Sequence, residues 1–132
     1  MPVAQPLALI LARNLIADLT VAGFVTDLGG TIIFYNDAAG ELLGRRFEET
    51  GRLSREEWSE IGPVDEAGNP LDWDALPLTT ALRENRPAHQ RFRIYTDAQT
   101  ILMVETSAVP LAAADGHHGA IVVFWPAGGD EA

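Results

Sequence analysis

The stretch Ala120–Trp125 reads AIVVFW. As a strand it puts Ile121, Val123 and Trp125 on one face and Ala120, Val122 and Phe124 on the other, because successive side chains of a strand alternate between faces. Neither face is polar. The run before it, Thr100–Val109, carries Leu102, Val104, Thr106 and Ala108 on one side and Ile101, Met103, Glu105, Ser107 and Val109 on the other. An antiparallel sheet with one wet face alternates cleanly between apolar and polar side chains; these two strands do not. A fold built on them must cover both faces, because an open apolar surface of that extent invites association.

The rest of the chain supplies the other strands and the covers. Ala22–Thr26 and Thr31–Tyr35 are short and rich in β-branched and aromatic residues, and Asp27-Leu28-Gly29-Gly30 between them is a turn sequence, so they form a hairpin. Asn36 is placed as a helix N-cap with Asp37 in the first turn, and Gly44 ends that helix after Leu43. Ser54 and Glu57 have capping-box spacing, which predicts a short helix over Ser54–Ile61. Pro63–Asp74 reads as loop. Asp74 is the predicted N-cap of a helix over Ala75–Asn85, with Leu78 and Leu82 on one face. His89–Thr96 is a third strand, and Thr100–Val109 follows a tight turn at Asp97-Ala98. Leu111–Gly119 is expected to be a connection turning at Asp115-Gly116, and Ala120–Trp125 is the last strand. Strands joined by short turns pair antiparallel, so the class is α+β.

The predicted middle helices can cover one face. The other falls to the N-terminal segment, where an amphipathic helix is predicted from about Pro6 to Leu19. Its stripe is Leu7, Leu11, Leu15 and Leu19, with Ala8, Ala12 and Ile16 beside it. That arc is wider than one small sheet requires. The helix packs on its own sheet alone, or it also packs on a second copy of the chain; the expectation is a homodimer that uses this face.

Composition narrows the function. At 132 residues the chain makes one domain. Residues 1–19 are read as the flanking helix, 20–126 as the domain proper and 127–132 as a disordered tail. There is no cysteine, which removes disulfides, thiolate metal sites and thiol nucleophiles. The net charge is −10 and all nine basic residues are Arg, so a phosphate backbone is a poor partner and nucleic acid is excluded. The apolar run Leu7–Ala12 is far short of the roughly 20 residues of a membrane span, and no basic residue precedes it as in a signal peptide. The expected location is the cytoplasm. No Gly-x-Ser-x-Gly, metal-ligand spacing or locally supported Ser/His/Asp set is present, so no catalytic residue and no metal ligand is nominated and the chain is not expected to be an enzyme. His117 and His118 beside Asp115 read as a surface turn.

Gly23–Leu43 (GFVTDLGGTIIFYNDAAGELL), followed by Gly44, resembles the opening of a PAS domain. Asp74–Arg86 (DALPLTTALRENR) resembles that family's central helix. Ser107–Leu111 (SAVPL), Asp115-Gly116, Gly119 and the IVVF run resemble its closing hairpin. The likeness covers about residues 20–125. It implies a PAS fold: a five-stranded antiparallel sheet with short helices on one face enclosing a small pocket, plus an N-terminal flanking helix. It also implies a signalling role, sensing ligands, redox state or light, with dimerisation often through the flanking helix. Trp125-Pro126-Ala127 stands where the family often has an Asp-x-Thr motif leading to an effector. The chain is therefore expected to be a stand-alone sensor or an adaptor, or an excised piece of a longer protein.

For cofactors, the absence of cysteine removes the covalent flavin chemistry of PAS-related light sensors and thioester-linked chromophores. Haem in PAS sensors usually hangs from a His on the central helix, which has none here; His89 lies just beyond it. A non-covalent flavin would need stacking aromatics such as Trp58 or Trp73. No cofactor is assigned. The implied pocket is expected to hold a small apolar ligand and to be lined by Leu43, Trp58, Ile61, Leu76, Leu82, Phe92, Val104, Thr106 and Val123, with Thr106 and Asn36 as polar handles. The expected dimer interface is Leu7, Leu11 and Leu15 on the helix and Ile101, Met103, Val109, Val122 and Phe124 on the sheet. Two readings stand: a ligand-binding sensor acting through its dimer or a signalling partner, and a ligand-free adaptor acting by protein contact alone.

Overall fold

The computed structural model describes residues 7–44, 52–58, 63–65, 67–95, 101–113 and 116–127. Its elements are α1 (Leu7–Ala17), β1 (Ala22–Thr26), β2 (Ile32–Tyr35), α2 (Asp37–Leu43), α3 (Arg55–Trp58), a 3₁₀ turn at Trp73–Ala75, α4 (Pro77–Glu84), β3 (Ala88–Tyr95), β4 (Ile101–Ala113) and β5 (Gly116–Pro126). The strands form one antiparallel sheet in the order β2-β1-β5-β4-β3.

Local signals place the first half. Asp27 Oδ1 accepts from the backbone N–H of Gly29 and Thr31 at 3.0 and 3.1 Å, which holds the β1–β2 turn, and Gly30 takes φ 87° inside it. Asn36 caps α2 through the Ala39 N–H, and Gly44 ends it in the left-handed region at φ 78°. Ser54 and Glu57 exchange the two bonds of a capping box at the start of α3.

Two expectations change. The central helix does not run unbroken from Ala75. Leu76 precedes Pro77 and is held extended at ψ 148°, because a residue before proline is pushed out of the helical region. A 3₁₀ turn therefore comes first and α4 starts at Pro77, ending at Asn85, which is left-handed at φ 56°. The Leu111–Gly119 connection is also mostly strand. β4 and β5 pair from Val104↔Pro126 to Ala113↔Gly116, with a register shift at Leu111/Ala112. Ladder pairing to a neighbour overrides the weak strand preference of the alanines. The expected turn at Asp97-Ala98 and the tail beyond Ala127 lie outside the described residues.

Helices lie on both sides of the sheet, but α1 covers only part of the outer face, where Ile101, Val109 and Trp125 remain exposed. On one face α2 and α4 bury Leu43, Leu78 and Ala81 against Val104, Val122 and Phe124. On the other, α1 buries Leu9, Ala12 and Ile16 against Val25 and Ile33, with Ile121 and Val123 packed alongside. The Arg13 guanidinium sits 4.7 Å from the centre of the Phe34 ring. The buried side of α1 is not the predicted leucine stripe. Leu7, Leu11 and Leu15 are 67%, 57% and 56% exposed. A helix apolar nearly all round has no unique inward face, so the leucine period could not select one.

Candidate functional site

Strand alternation and register bring one set of side chains to the α2/α4 face. On β4 these include Val104 and Thr106. β5 aligns Phe124 with Thr106 and Val122 with Ala108. β1 places Phe24 opposite Val122, β2 places Tyr35 opposite Phe24, and β3 places Phe92 opposite Val104. Two isolated backbone bridges, Ile32↔Leu53 and Val64↔Arg93, draw the middle segment against the sheet and bring Leu53 and Pro63 to the rim. Between these walls lies a cavity of about 80 Å³, several times the roughly 10–15 Å³ that one water requires. Phe24 and Phe124 meet in its wall with ring centres 6.1 Å apart and planes tilted by 57°.

The described lining residues are apolar apart from Tyr35 and Thr106, and none of them is charged. Thr106 is 4% exposed, and its Oγ1 has no protein hydrogen-bond partner. A buried hydroxyl normally has one, because leaving it unpaired costs stability.

Of the residues expected here, Leu43, Leu76, Phe92, Val104 and Thr106 line the cavity. Val123 does not: it faces α1, while Val122 and Phe124, expected at the dimer interface, face the cavity. The register Thr106↔Phe124 settles which side of β5 faces inward. Leu82 is half-buried against the same cluster but off the cavity wall, because α4 presents Leu78 and Ala81 inward. Asn36 is buried and fully engaged with backbone: its side chain accepts from Gly23 and Ala39 N–H and donates to the Ile16 and Val21 carbonyls. It is a structural clamp rather than a polar handle. Ile61 and the side chains of Trp58 and Trp73 lie outside the described residues.

The outer face of the sheet carries the remaining expected interface residues. Ile101 and Val109 are exposed there and Met103 is half-buried. His89 also stands on this face, away from the cavity. Its Nε2 lies 2.7 Å from Glu105 Oε1, and its ring centre is 5.9 Å from that of Trp125. The residues present therefore do not fit a haem held through His89. Nor do the described walls, apolar but for Tyr35 and Thr106, match the polar edge of a flavin ring. Among the described residues no three His, Asp or Glu side chains gather as a metal site, and no helix is long and apolar enough to cross a membrane.

Arg91 grips the other Glu105 oxygen through Nε and Nη2 at 3.0 and 2.7 Å. Arg91, and then His89, hold the Glu105 carboxyl below the ordinary glutamate value. A carboxylate with a lowered folded pKa contributes stability above its unfolded value of about 4.3 and loses that contribution as pH falls through the folded one. In urea titrations from pH 6 to about pH 3, the native chain is expected to lose stability more steeply than Glu105→Gln. Parallel pH curves for the two proteins would refute the assignment.

No family profile and no curated protein matches this sequence. Solved structures do match it. A PAS domain from a two-component sensor histidine kinase is 21% identical and superposes with a TM-score of 0.62, covering 92% of this chain and 97% of that one. The PAS domain of nitrogen regulation protein NR(II) from Vibrio parahaemolyticus is 18% identical with a TM-score of 0.62, covering 89% and 98%. A LOV protein from Rhodobacter sphaeroides is 14% identical with a TM-score of 0.72, covering 96% and 71%. The chain has the PAS fold.

Proposed function

We propose that this PAS-fold chain is a non-catalytic sensory domain of the cytoplasm that binds a small, largely apolar ligand and passes the change through a homodimer or a signalling partner. The observation that carries the proposal is the apolar cavity of about 80 Å³ between sheet and helices. Protein interiors are close-packed, so an apolar pocket of that size reaching in between sheet and helices is a departure from ordinary packing. The route outward runs through the sheet: Val104 and Thr106 face the cavity, while Met103, Glu105 and Ser107 of the same strand face the opposite side. A shift of β4 caused by a ligand is felt on both faces.

A second reading, a ligand-free adaptor, is favoured by a different observation. Leu7, Leu11 and Leu15 on α1 and Ile101 and Val109 on the sheet are all exposed, and apolar side chains in such numbers mark a contact surface.

Native mass spectrometry on protein purified without added cofactor, compared with the denatured mass, separates the two. The sensor reading expects a dimer carrying a releasable mass, and Thr106→Trp, which fills the cavity, is expected to lose that mass while remaining folded. A bare dimer from several hosts, with Thr106→Trp unchanged or more stable, favours the adaptor. In both readings Met103→Glu places a charge on the outer face and is expected to convert dimer to monomer. A dimer that survives Met103→Glu refutes that interface.

A further inference from the structure

The described side chains around the cavity give a ligand almost nothing to hydrogen-bond. Thr106 stands in the wall, but its Oγ1 exposes less than 1 Å² and does not open onto the pocket. Tyr35 is 1% exposed. The rest of the described wall is apolar and includes Phe24, Phe92, Ile94, Val104, Val122 and Phe124. We infer that the pocket takes the slender aliphatic end of an amphiphile, an unbranched alkyl chain whose polar group stays in water at the mouth. The inference rests on the ligand-binding reading above.

Polarity decides what enters. A hydroxyl or amide carried into the pocket gives up its water and finds no partner among these walls, and a charge loses far more. A methylene gains there in proportion to the area it removes from water. Volume then selects the shape. A dry cavity of about 150 Å³ takes a benzene ring. This one measures about 80 Å³, room for roughly three carbons on the same scale. A rigid ring enters whole or not at all. A chain enters by its end and leaves the rest outside, which the pocket permits because it is open to solvent rather than sealed.

Three six-carbon alcohols test this on the full chain: 1-hexanol, cyclohexanol and 1,6-hexanediol. Each is titrated into the protein and followed by the amide chemical shifts of Val104, Val122 and Phe124. 1-Hexanol is expected to move these amides saturably. Cyclohexanol carries the same carbon count in a ring and is expected to bind at least about fivefold more weakly, because excess volume has to be forced between packed walls. 1,6-Hexanediol buries a hydroxyl whichever end enters. It is also expected to bind at least about fivefold more weakly, the low end of the cost of one buried unpaired group. A diol that matches 1-hexanol overturns the hydrocarbon-only pocket, and cyclohexanol that matches or exceeds 1-hexanol overturns the chain shape; either result leaves the cavity reading standing. If none of the three moves these amides, the cavity reading falls and this inference falls with it.

Discussion

Asn36→Ala is expected to destabilise the domain by about 3–4 kcal/mol, the largest effect of any single polar truncation here. Asn36 is 3% exposed. Its Oδ1 accepts from Gly23 N–H at 3.1 Å and Ala39 N–H at 2.9 Å, and its Nδ2 donates to the Ile16 and Val21 carbonyls, both at 2.9 Å. One side chain thus joins the end of α1, the start of β1 and the N-terminus of α2. Alanine leaves two N–H groups and two carbonyls without this partner in places water reaches poorly, and an unpaired buried group costs more than the bond it once made. Serine is the control. Its short side chain can still cap Ala39 but cannot span to Ile16 and Val21, so Asn36→Ser is expected to lose roughly half as much. Urea unfolding of the three proteins measures both differences. A loss below about 1 kcal/mol for Asn36→Ala would mean that the clamp is replaced by solvent and carries no weight.

Gly119→Ala is expected to cost at least about 3 kcal/mol and to leave little folded protein at 37 °C. Gly119 lies in β5 beside the β1 edge. A Cβ built there would stand 2.0 Å from the Thr26 carbonyl oxygen and 3.1 Å from the Asp27 Cα. Both obstacles are backbone, so no side chain can swing away, and the β1–β5 ladder would have to open at Thr26↔Ala120. The φ of 149° adds conformational strain for any residue with a Cβ. Gly116, a few residues earlier, isolates that second term: its φ is 127°, but nothing lies within 4 Å of its would-be Cβ. Gly116→Ala is expected to cost about 1–2 kcal/mol, the conformational share alone. Thermal unfolding followed by circular dichroism compares the pair. Equal losses for the two variants would show that the close approach of β5 to β1 is relaxed at little cost.

The two residues differ in how far their roles were legible. Asn36 was readable as a cap, because capping is a contact within three residues and leaves a local pattern. Its bonds to Ile16, Val21 and Gly23 were not, since they depend on how α1 and β1 return to the same point in space. Gly119 was readable only as a turn-like glycine; that it is the point of closest approach between two strands follows from their pairing.

The same division runs through the site. The run AIVVFW called for cover on both faces of the sheet, and the structure supplies α2 and α4 on one side and α1 on the other, where α1 buries Ile121 and Val123 but leaves Trp125, Ile101 and Val109 exposed. The run was silent on which face turns to the cavity, because every position in it is apolar and a one-residue slip changes nothing in the pattern. The hydrogen-bonded register with β4 made that choice, and it put Val122 and Phe124 where Val123 was expected. α1 behaves alike: being apolar nearly all round, it carries no mark of its inward side until it meets Val25 and Ile33. Turns, caps, helix stops and strand alternation come from forces acting over a few residues, and these were written in the chain. The cavity around Thr106 was not, because empty space is a property of how side chains distant in sequence fail to fill a volume between them.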